Sequence, residues 1–264
     1  MAYVSLSNRD INVLEKIKDP ESDPSSAVRI DPSLPKDPNV LDQAVYEKIA
    51  QRERDIIRSL QQVDMQSLQA GGEFANADVV AGYREAVSRF DSLIQDHPEY
   101  ASVRNNRAQA LRRLYGDSML VEGSPLPQAL LQQVEDSERQ HVAMTVLGDL
   151  DRAISLITPK TMYSKLSPQV ARTLAMAHTQ RAAIYHMTSK LMLDKPLSVD
   201  SSRREAEWTK LDFEENASRD FAMGGRYGND IAKGLAVSTN PTAKLCGQMV
   251  REAMKKEYGP GFLE

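Results

Sequence analysis

The fold is decided by the stretch Ala101-Ser-Val-Arg-Asn-Asn-Arg-Ala-Gln-Ala-Leu-Arg-Arg-Leu-Tyr-Gly-Asp117. Its small and apolar residues recur at helical spacing, and Gly116-Asp117 supplies a stop at which the chain can reverse. Ala108 is the small residue that lets a second helix approach closely, and Leu111 lies one turn later. The stretch therefore predicts the first helix of a helical hairpin.

A second pattern precedes this helix and then returns twice. Ala86, Phe90 and Leu93 are spaced by four and then three residues, which places them on one face of a helix. The same spacing recurs in Val146/Leu150/Ala153 and in Ala217/Phe221/Gly224, and Ala182 repeats the role of Ala108. The 22 residues from Ala86 to Ala108 match a tetratricopeptide (TPR) repeat of about 34 residues.

The repeat is interrupted inside two hairpins. Ala108 and Val146 are 38 residues apart, and Ala182 and Ala217 are 35 apart, where an uninterrupted repeat has about 12. We predict an all-α, right-handed TPR-type α-solenoid of about three helical hairpins with long insertions and a C-terminal capping helix. Its repeats cover approximately 53–98, 101–158 and 169–227, its insertions 118–140 and 189–209, and its capping helix 240–257.

The ends of the chain form separate predictions. Residues 1–40 comprise a short helix, Ser7 to Lys18, with Ile11, Leu14 and Ile17 on one side, and a Pro-rich tether that lies on the domain or free in solvent. Residues 41–264 form the TPR domain. In its capping helix, which opens at Pro241, the apolar residues are expected to face the stack; they are Leu245, Met249 and Val250.

Three further segments carry predictions of their own. A helix from about residue 45 to 70 has Asp64 where a small residue is preferred, if Leu60 takes position four. Leu126 to His141 is expected to extend the following helix, and the capping box Ser202-Arg-Arg-Glu205 to begin another. The insertions are lengthened hairpins, or else Trp208 and the apolar tip Met119-Leu120-Val121 contact a partner.

Composition excludes several functional classes. A formal net charge of −4 gives no field that would attract nucleic acid, and no window approaches the ~20 apolar residues of a membrane span. The single cysteine, Cys246, permits no internal disulfide, and the first thirty residues lack the apolar core of a signal peptide. We expect a cytoplasmic protein, with the nucleus as an alternative.

The sequence contains no complete metal-binding or phosphate-binding motif that would indicate catalysis. His178 and His186 lie on one predicted helix, but no carboxylate or thiol at ligand spacing completes a metal site. Gly224-Gly-Arg-Tyr-Gly228 follows a helix rather than a strand and lacks the Lys and Ser/Thr of a phosphate loop, so we interpret it as a flexible helix exit. We predict no enzyme activity, no cofactor and no metal.

The chain resembles the tetratricopeptide repeat protein 36 family, in a fungal or other non-animal form. The matching pieces keep the family's order and cover nearly the whole chain; they are Asn8 to Pro20, Asn105 to Ala110, Asp149 to Ile154, Gln180-Arg181, Ser218 to Phe221 and Asn240 to Met249. The resemblance implies a non-enzymatic adaptor that binds Hsp70-type chaperones or a client protein, with a link to an enzyme of tyrosine catabolism.

A TPR stack binds partners on the concave surface formed by its first helices. Repeat positions predict the polar lining Asn105, Asn106, Gln109, Arg113, Thr179 and Gln180, unless these side chains are merely solvated. Of the five positions that clamp the acidic tail of a chaperone, only the central one matches, at Asn106. Gln61, Met65, Met176 and Gln180 occupy the others, so another binding mode is expected. The alternative is a structural subunit whose groove is permanently occupied within a larger assembly.

Overall fold

The computed structural model describes residues 28–70, 73–123, 128–161 and 164–258. The predicted helix Ser7 to Lys18 lies outside these residues, as does the first part of the tether. Within them are eight α-helices, with no β-strand beyond two isolated bridges. The helices are α1 Gln43–Ala70, α2 Glu73–Asp96, α3 Ala101–Tyr115, α4 Asp136–Ile157, α5 Pro168–Leu191, α6 Lys210–Arg226, α7 Asp230–Thr239 and α8 Pro241–Tyr258. The predicted all-α helical-repeat fold is confirmed.

Consecutive helices pack as hairpins, α1 with α2, α3 with α4 and α5 with α6, and each hairpin packs on the next. α1 and α2 pack closely at Gly82, where an added Cβ would lie 2.7 Å from the side chain of Val63. Asp64, where the repeat prefers a small residue, is not at this contact and accepts a hydrogen bond from the hydroxyl of Tyr83. None of the described helices is both long and apolar enough to cross a membrane.

The predicted core faces are buried. Phe90, Leu93, Val146 and Leu150 each have 0% of their surface exposed. Ala108 and Ala182 are also fully buried, at the points where neighbouring helices approach. Burying an aliphatic side chain of this size stabilises a fold by roughly 1.5 to 3 kcal/mol, so these faces supply much of the stacking energy.

A repeated ion pair joins the helices of the second and third hairpins. Arg107 of α3 donates to both oxygens of Asp149 on α4 at 2.6 and 2.7 Å. Arg181 of α5 does the same to Asp220 on α6 at 2.7 and 2.8 Å. Each arginine also contacts an aspartate of the preceding hairpin, Asp91 for Arg107 and Asp151 for Arg181.

The two insertions pack against each other instead of extending helices. Met119, Leu120 and Val121 are 0 to 1% exposed, so the interpretation of this tip as a partner contact is wrong. Their backbone meets the second insertion, where the Ser198 amide donates to the Leu120 carbonyl at 2.8 Å. The described residues 128–135 are not helical, and α4 begins only at Asp136, contrary to the expected extension from Leu126.

The second insertion also differs from its prediction. Arg204–Glu207 forms a single turn of 3-10 helix, and the capping box that starts α6 is made by Thr209 and Asp212. Trp208 packs against Tyr185 and Phe213, each with ring centroids 5.1 Å away. The capping motif at Ser202 was therefore wrongly assigned, and Trp208 belongs to the partly buried rim of the core.

The described part of the tether lies on the domain. Ile30 pairs with Leu166 in an isolated parallel bridge, and the Leu166 amide donates to the Arg29 carbonyl at 2.9 Å. Asp37 is 4% exposed and accepts a hydrogen bond from the first amide of α3, at Ala101. Residues 28–40 thus cover the side of the stack next to α3 and α5.

The predicted C-terminal helix is present as α8, Pro241–Tyr258, but its packing differs from the prediction. An unpredicted helix, α7, caps the third hairpin, and its Ala232 is fully buried. The glycines before it serve this contact and not flexibility, because a Cβ on Gly225 would lie 2.7 Å from the Cα of Lys233. Leu245, Met249 and Val250 of α8 are 57 to 61% exposed and do not face the stack.

Candidate functional site

A groove lies on the concave side of the first helices of the hairpins. It has a volume of about 600 Å³ and is walled by α1, α2 and α3, with Met176 of α5 at one end. Its apolar lining includes Ile57, Leu60 and Ala110. Its polar lining is Gln61, Asp64, Tyr83, Asn106, Gln109, Arg112, Arg113, Asp117 and Gln128. The groove therefore combines apolar contact area with polar side chains in its lining.

Buried polar contacts hold the wall between α1 and α3. Glu53, which is 6% exposed, accepts hydrogen bonds of 2.7 Å from the Tyr100 hydroxyl and from Nδ2 of Asn106. Burial raises the pKa of the Glu53 carboxyl, and these hydrogen bonds oppose that rise. The side-chain amide of Asn106 thus donates to a group inside the protein.

Tyr83 of α2 forms part of the opposite wall of the groove. Its hydroxyl donates to the two oxygens of Asp64 at 3.0 and 3.3 Å. Burial, together with the adjacent Asp64 charge, raises the pKa of Tyr83 to about 12, so the phenol stays protonated. Arg113 donates to the carbonyl of Gln128 at 2.9 Å, which ties the first insertion to the rim of the groove.

The guanidinium of Arg112, which lines the groove, is hydrogen-bonded within the protein. It donates to both oxygens of Asp117 at 2.7 and 2.8 Å and to Oε1 of Gln180 at 3.2 Å. The four charged groups of the lining, two arginines and two aspartates, therefore balance each other. A ligand gains little from net charge in this groove, and shape and apolar contact decide its affinity.

Of the six predicted lining residues, the structure places three in the groove. Asn106, Gln109 and Arg113 lie in the groove, and Gln109 and Arg113 are exposed there. Asn105 and Gln180 do not line it, because they are 2% and 6% exposed and bond to each other through Gln180 Nε2 and Asn105 Oδ1 at 2.8 Å. Asn105 therefore fixes the α3 to α5 packing.

Thr179 is also withdrawn from the groove. Its hydroxyl donates to the Ala175 carbonyl at 2.6 Å and accepts from Nδ2 of Asn229 at 3.1 Å. Asn229 is the residue that caps α7, so the unpredicted helix covers this part of α5. Sequence reasoning missed Glu53, Asp64 and Tyr83 as site residues, since the repeat pattern specifies small and apolar positions and not these polar ones.

The histidines are held by the packing of α5 and α6. Nδ1 of His178 lies 2.8 Å from Oδ1 of Asp220, and its ring stacks on Tyr227. His186 packs edge-on against Phe221. In the part of the chain that the structure describes, no three His, Cys, Asp or Glu side chains are grouped as metal ligands.

Comparison with known proteins gives relatives but no solved fold. No family model matches the chain, and no solved structure matches it either. The L-tyrosine degradation gene cluster protein hmgX of Aspergillus fumigatus is 38% identical over 257 residues, which cover 96% of this chain and 93% of that protein. The tetratricopeptide repeat protein 36 homolog of Drosophila pseudoobscura pseudoobscura is 24% identical over 95% of both chains. Tetratricopeptide repeat protein 36 of Xenopus tropicalis is 28% identical over 66% of this chain and 57% of its own.

Proposed function

Because the chain belongs to the tetratricopeptide repeat protein 36-like family, we propose that it is a non-catalytic adaptor whose concave groove binds a segment of a partner protein. The observation that carries this proposal is the groove itself. It is open and about 600 Å³ in volume, with apolar Ile57, Leu60 and Met176 beside uncommitted polar groups such as Gln109. The relatives' names describe repeat and gene-cluster proteins, and none of them names a reaction.

The groove favours an internal segment of a partner over a free acidic tail. A carboxylate clamp needs cationic side chains in open positions, whereas Gln61 and Met176 stand in the groove and Arg112 is already bonded to Asp117. Charge-assisted hydrogen bonds worth roughly 1.5 to 3 kcal/mol each are therefore missing for such a tail. An Hsp70-type chaperone fits this proposal only through another part of its chain.

The client that fits best is an enzyme of tyrosine breakdown. This step rests on the Aspergillus relative, which is named for an L-tyrosine degradation gene cluster and aligns over nearly the whole chain. We place the adaptor and its client in the cytoplasm, where such a complex stabilises the enzyme. The groove then contacts the enzyme through an apolar segment lying along α1 and α3.

Affinity purification from native cytosol with quantitative mass spectrometry tests the proposal. Gln61→Arg with Gln109→Arg adds two bulky charges to exposed groove positions, so client recovery should fall at least tenfold. The matched control, Gln62→Arg with Gln66→Arg, adds the same charges to exposed positions of α1 outside the groove. Equal recovery with both variants would exclude the groove as the binding site. A fixed set of subunits that survives both variants would instead indicate a larger assembly.

A further inference from the structure

One face of α7 carries the exposed apolar residues Ile231 and Leu235. These residues lie one turn apart and are 76% and 36% exposed, beside the fully buried Ala232. In a TPR stack the second helix of the hairpin covers this part of the first helix. Here α8 does not, because every residue from Thr242 to Ala253 is exposed. Within residues 28–258, as far as the structure describes them, no helix covers this apolar face of α7.

The chain enters the described structure next to this face. Ile30 and Ile231 line the same cleft between α5 and α7, which has a volume of about 590 Å³. Met176 lines both this cleft and the groove. Arg172, on the cleft's rim, is exposed and forms no ion pair with any described residue. The cleft therefore offers apolar area together with one exposed cation, Arg172, and one exposed anion, Asp230.

The sequence before Val28 has matching chemistry and sufficient length. Ile11, Leu14 and Ile17 share one side of a helical pattern, and the acidic residues Asp19, Glu21 and Asp23 follow directly. The 13 residues from Ile17 to Ile30 can span about 43 Å when extended. The ten residues of α7 are only about 15 Å long, so the apolar segment reaches any point on this helix.

We propose that residues 7–18 dock as an amphipathic helix on the Ile231/Leu235 face of α7, with the acidic stretch Asp19 to Asp23 beside Arg172. The docked segment takes the place of the missing second helix of the fourth hairpin. It also lies at the Met176 end of the groove, so it borders the proposed binding site. This inference does not depend on the identity of any client.

Cysteine crosslinking in the full-length chain tests the contact. In a Cys246→Ser background, Leu14→Cys is combined with Leu235→Cys, and disulfide formation under mild oxidation is followed by gel mobility and intact mass. A disulfide forms only when the two Cβ atoms come within about 4.5 Å. The matched control pairs Leu14→Cys with Leu68→Cys, an 87% exposed leucine of the first hairpin. We expect the Leu235 pair to crosslink within one chain at least tenfold faster than the control, and Arg172→Glu to slow it.

Hydrogen exchange of the full-length chain provides a second readout. Leu14→Asp should increase exchange of α7 amides several-fold and leave α3 unchanged. Equal crosslinking rates for the Leu235 and Leu68 pairs would overturn the proposal, as would unchanged exchange in α7. Crosslinks between chains would assign the face to a second copy of the protein. In a separate variant that keeps Cys246 and lacks the cysteine at position 14, rapid crosslinking of Leu235→Cys to Cys246 would show that α8 folds back onto α7 instead and would overturn the proposal.

Discussion

The guanidinium of Arg181 donates two hydrogen bonds to the carboxylate of Asp220, at 2.7 and 2.8 Å, and so joins the two helices of the third hairpin. Both side chains are nearly buried, at 14% and 7% exposed. Burial opposes the charge of Asp220, but hydrogen bonds from Arg181 and His178 outweigh it and lower the pKa of this carboxyl. Arg107 and Asp149 repeat this two-bond geometry in the second hairpin.

Removing one member of this pair should be strongly destabilising. Arg181→Met leaves the buried Asp220 without its main partner, so unfolding free energy should fall by roughly 3 to 5 kcal/mol. The control is Arg152→Met, whose ion pair with Glu99 is about half exposed and should contribute less than about 1 kcal/mol. Urea denaturation midpoints of both variants provide the measurement. Equal shifts would mean that the pair has no structural importance.

The first insertion should behave as core. Leu120 is as buried as Leu150, at 0% exposed, so Leu120→Ala and Leu150→Ala should each cost roughly 2 to 5 kcal/mol. Deletion of residues 118–127 should therefore reduce helicity and cooperativity, although the position between two helices predicts a dispensable loop. Circular dichroism during thermal unfolding checks this. A deletion variant with the wild-type midpoint would contradict the burial of this segment.

Two glycines of the C-terminal end should respond in opposite directions. Gly225→Ala places a Cβ 2.7 Å from the backbone of α7 and should destabilise by roughly 1 to 3 kcal/mol. Gly234→Ala meets nothing within 4 Å and should stabilise by roughly 0.4 to 1 kcal/mol, because alanine favours helix. Differential scanning calorimetry separates these signs. Two shifts of the same sign would argue against close packing of α6 and α7.

Acid should weaken the second insertion through Glu205, which is fully buried. Burial opposes its ionisation, but hydrogen bonds from Arg203 and Tyr185 lower its pKa from 4.5 to about 2. Since the folded pKa lies below the unfolded value, the stabilisation is present above pH 4.5 and is lost as pH falls toward 2. Glu205→Gln should remove this dependence, amounting to roughly 3 kcal/mol. Denaturation at pH 7 and pH 3 should show about 2 kcal/mol of this loss, because Glu205 stays ionised in the folded state until the pH nears 2. The exposed Glu257→Gln serves as the unaffected control.

The groove should be indifferent to a terminal carboxylate. A segment that binds the groove should have the same affinity, within about twofold, as a free acid and as an amide, because the lining charges already balance. Asn106→Ala should weaken both forms alike, since it removes a donor to Glu53 that supports the wall. Isothermal titration calorimetry of the peptide pair at two salt concentrations checks this. A salt-sensitive preference for the free acid would reveal a carboxylate clamp.

Sequence periodicity by itself determined the helical faces. Ala108, Phe90 and Leu150 are buried where their spacing predicts, because a helix with 3.6 residues per turn fixes which side chains share a face. The spacing also indicated where the hairpins are interrupted. These features depend on neighbours within a few turns, which the local sequence encodes.

Tertiary structure alone decided which residues remain for the groove. Asn105 and Asn106 are adjacent and chemically identical, yet Gln180 of α5 buries the first and leaves the second in the groove wall. Likewise, the buried Leu120 accepts a backbone hydrogen bond from Ser198, which is far away in the chain. Burial of such groups depends on distant partners, and no local pattern specifies these. The sequence therefore determined the helices and their packed faces, and long-range packing decided the loops, the cap and the binding surface.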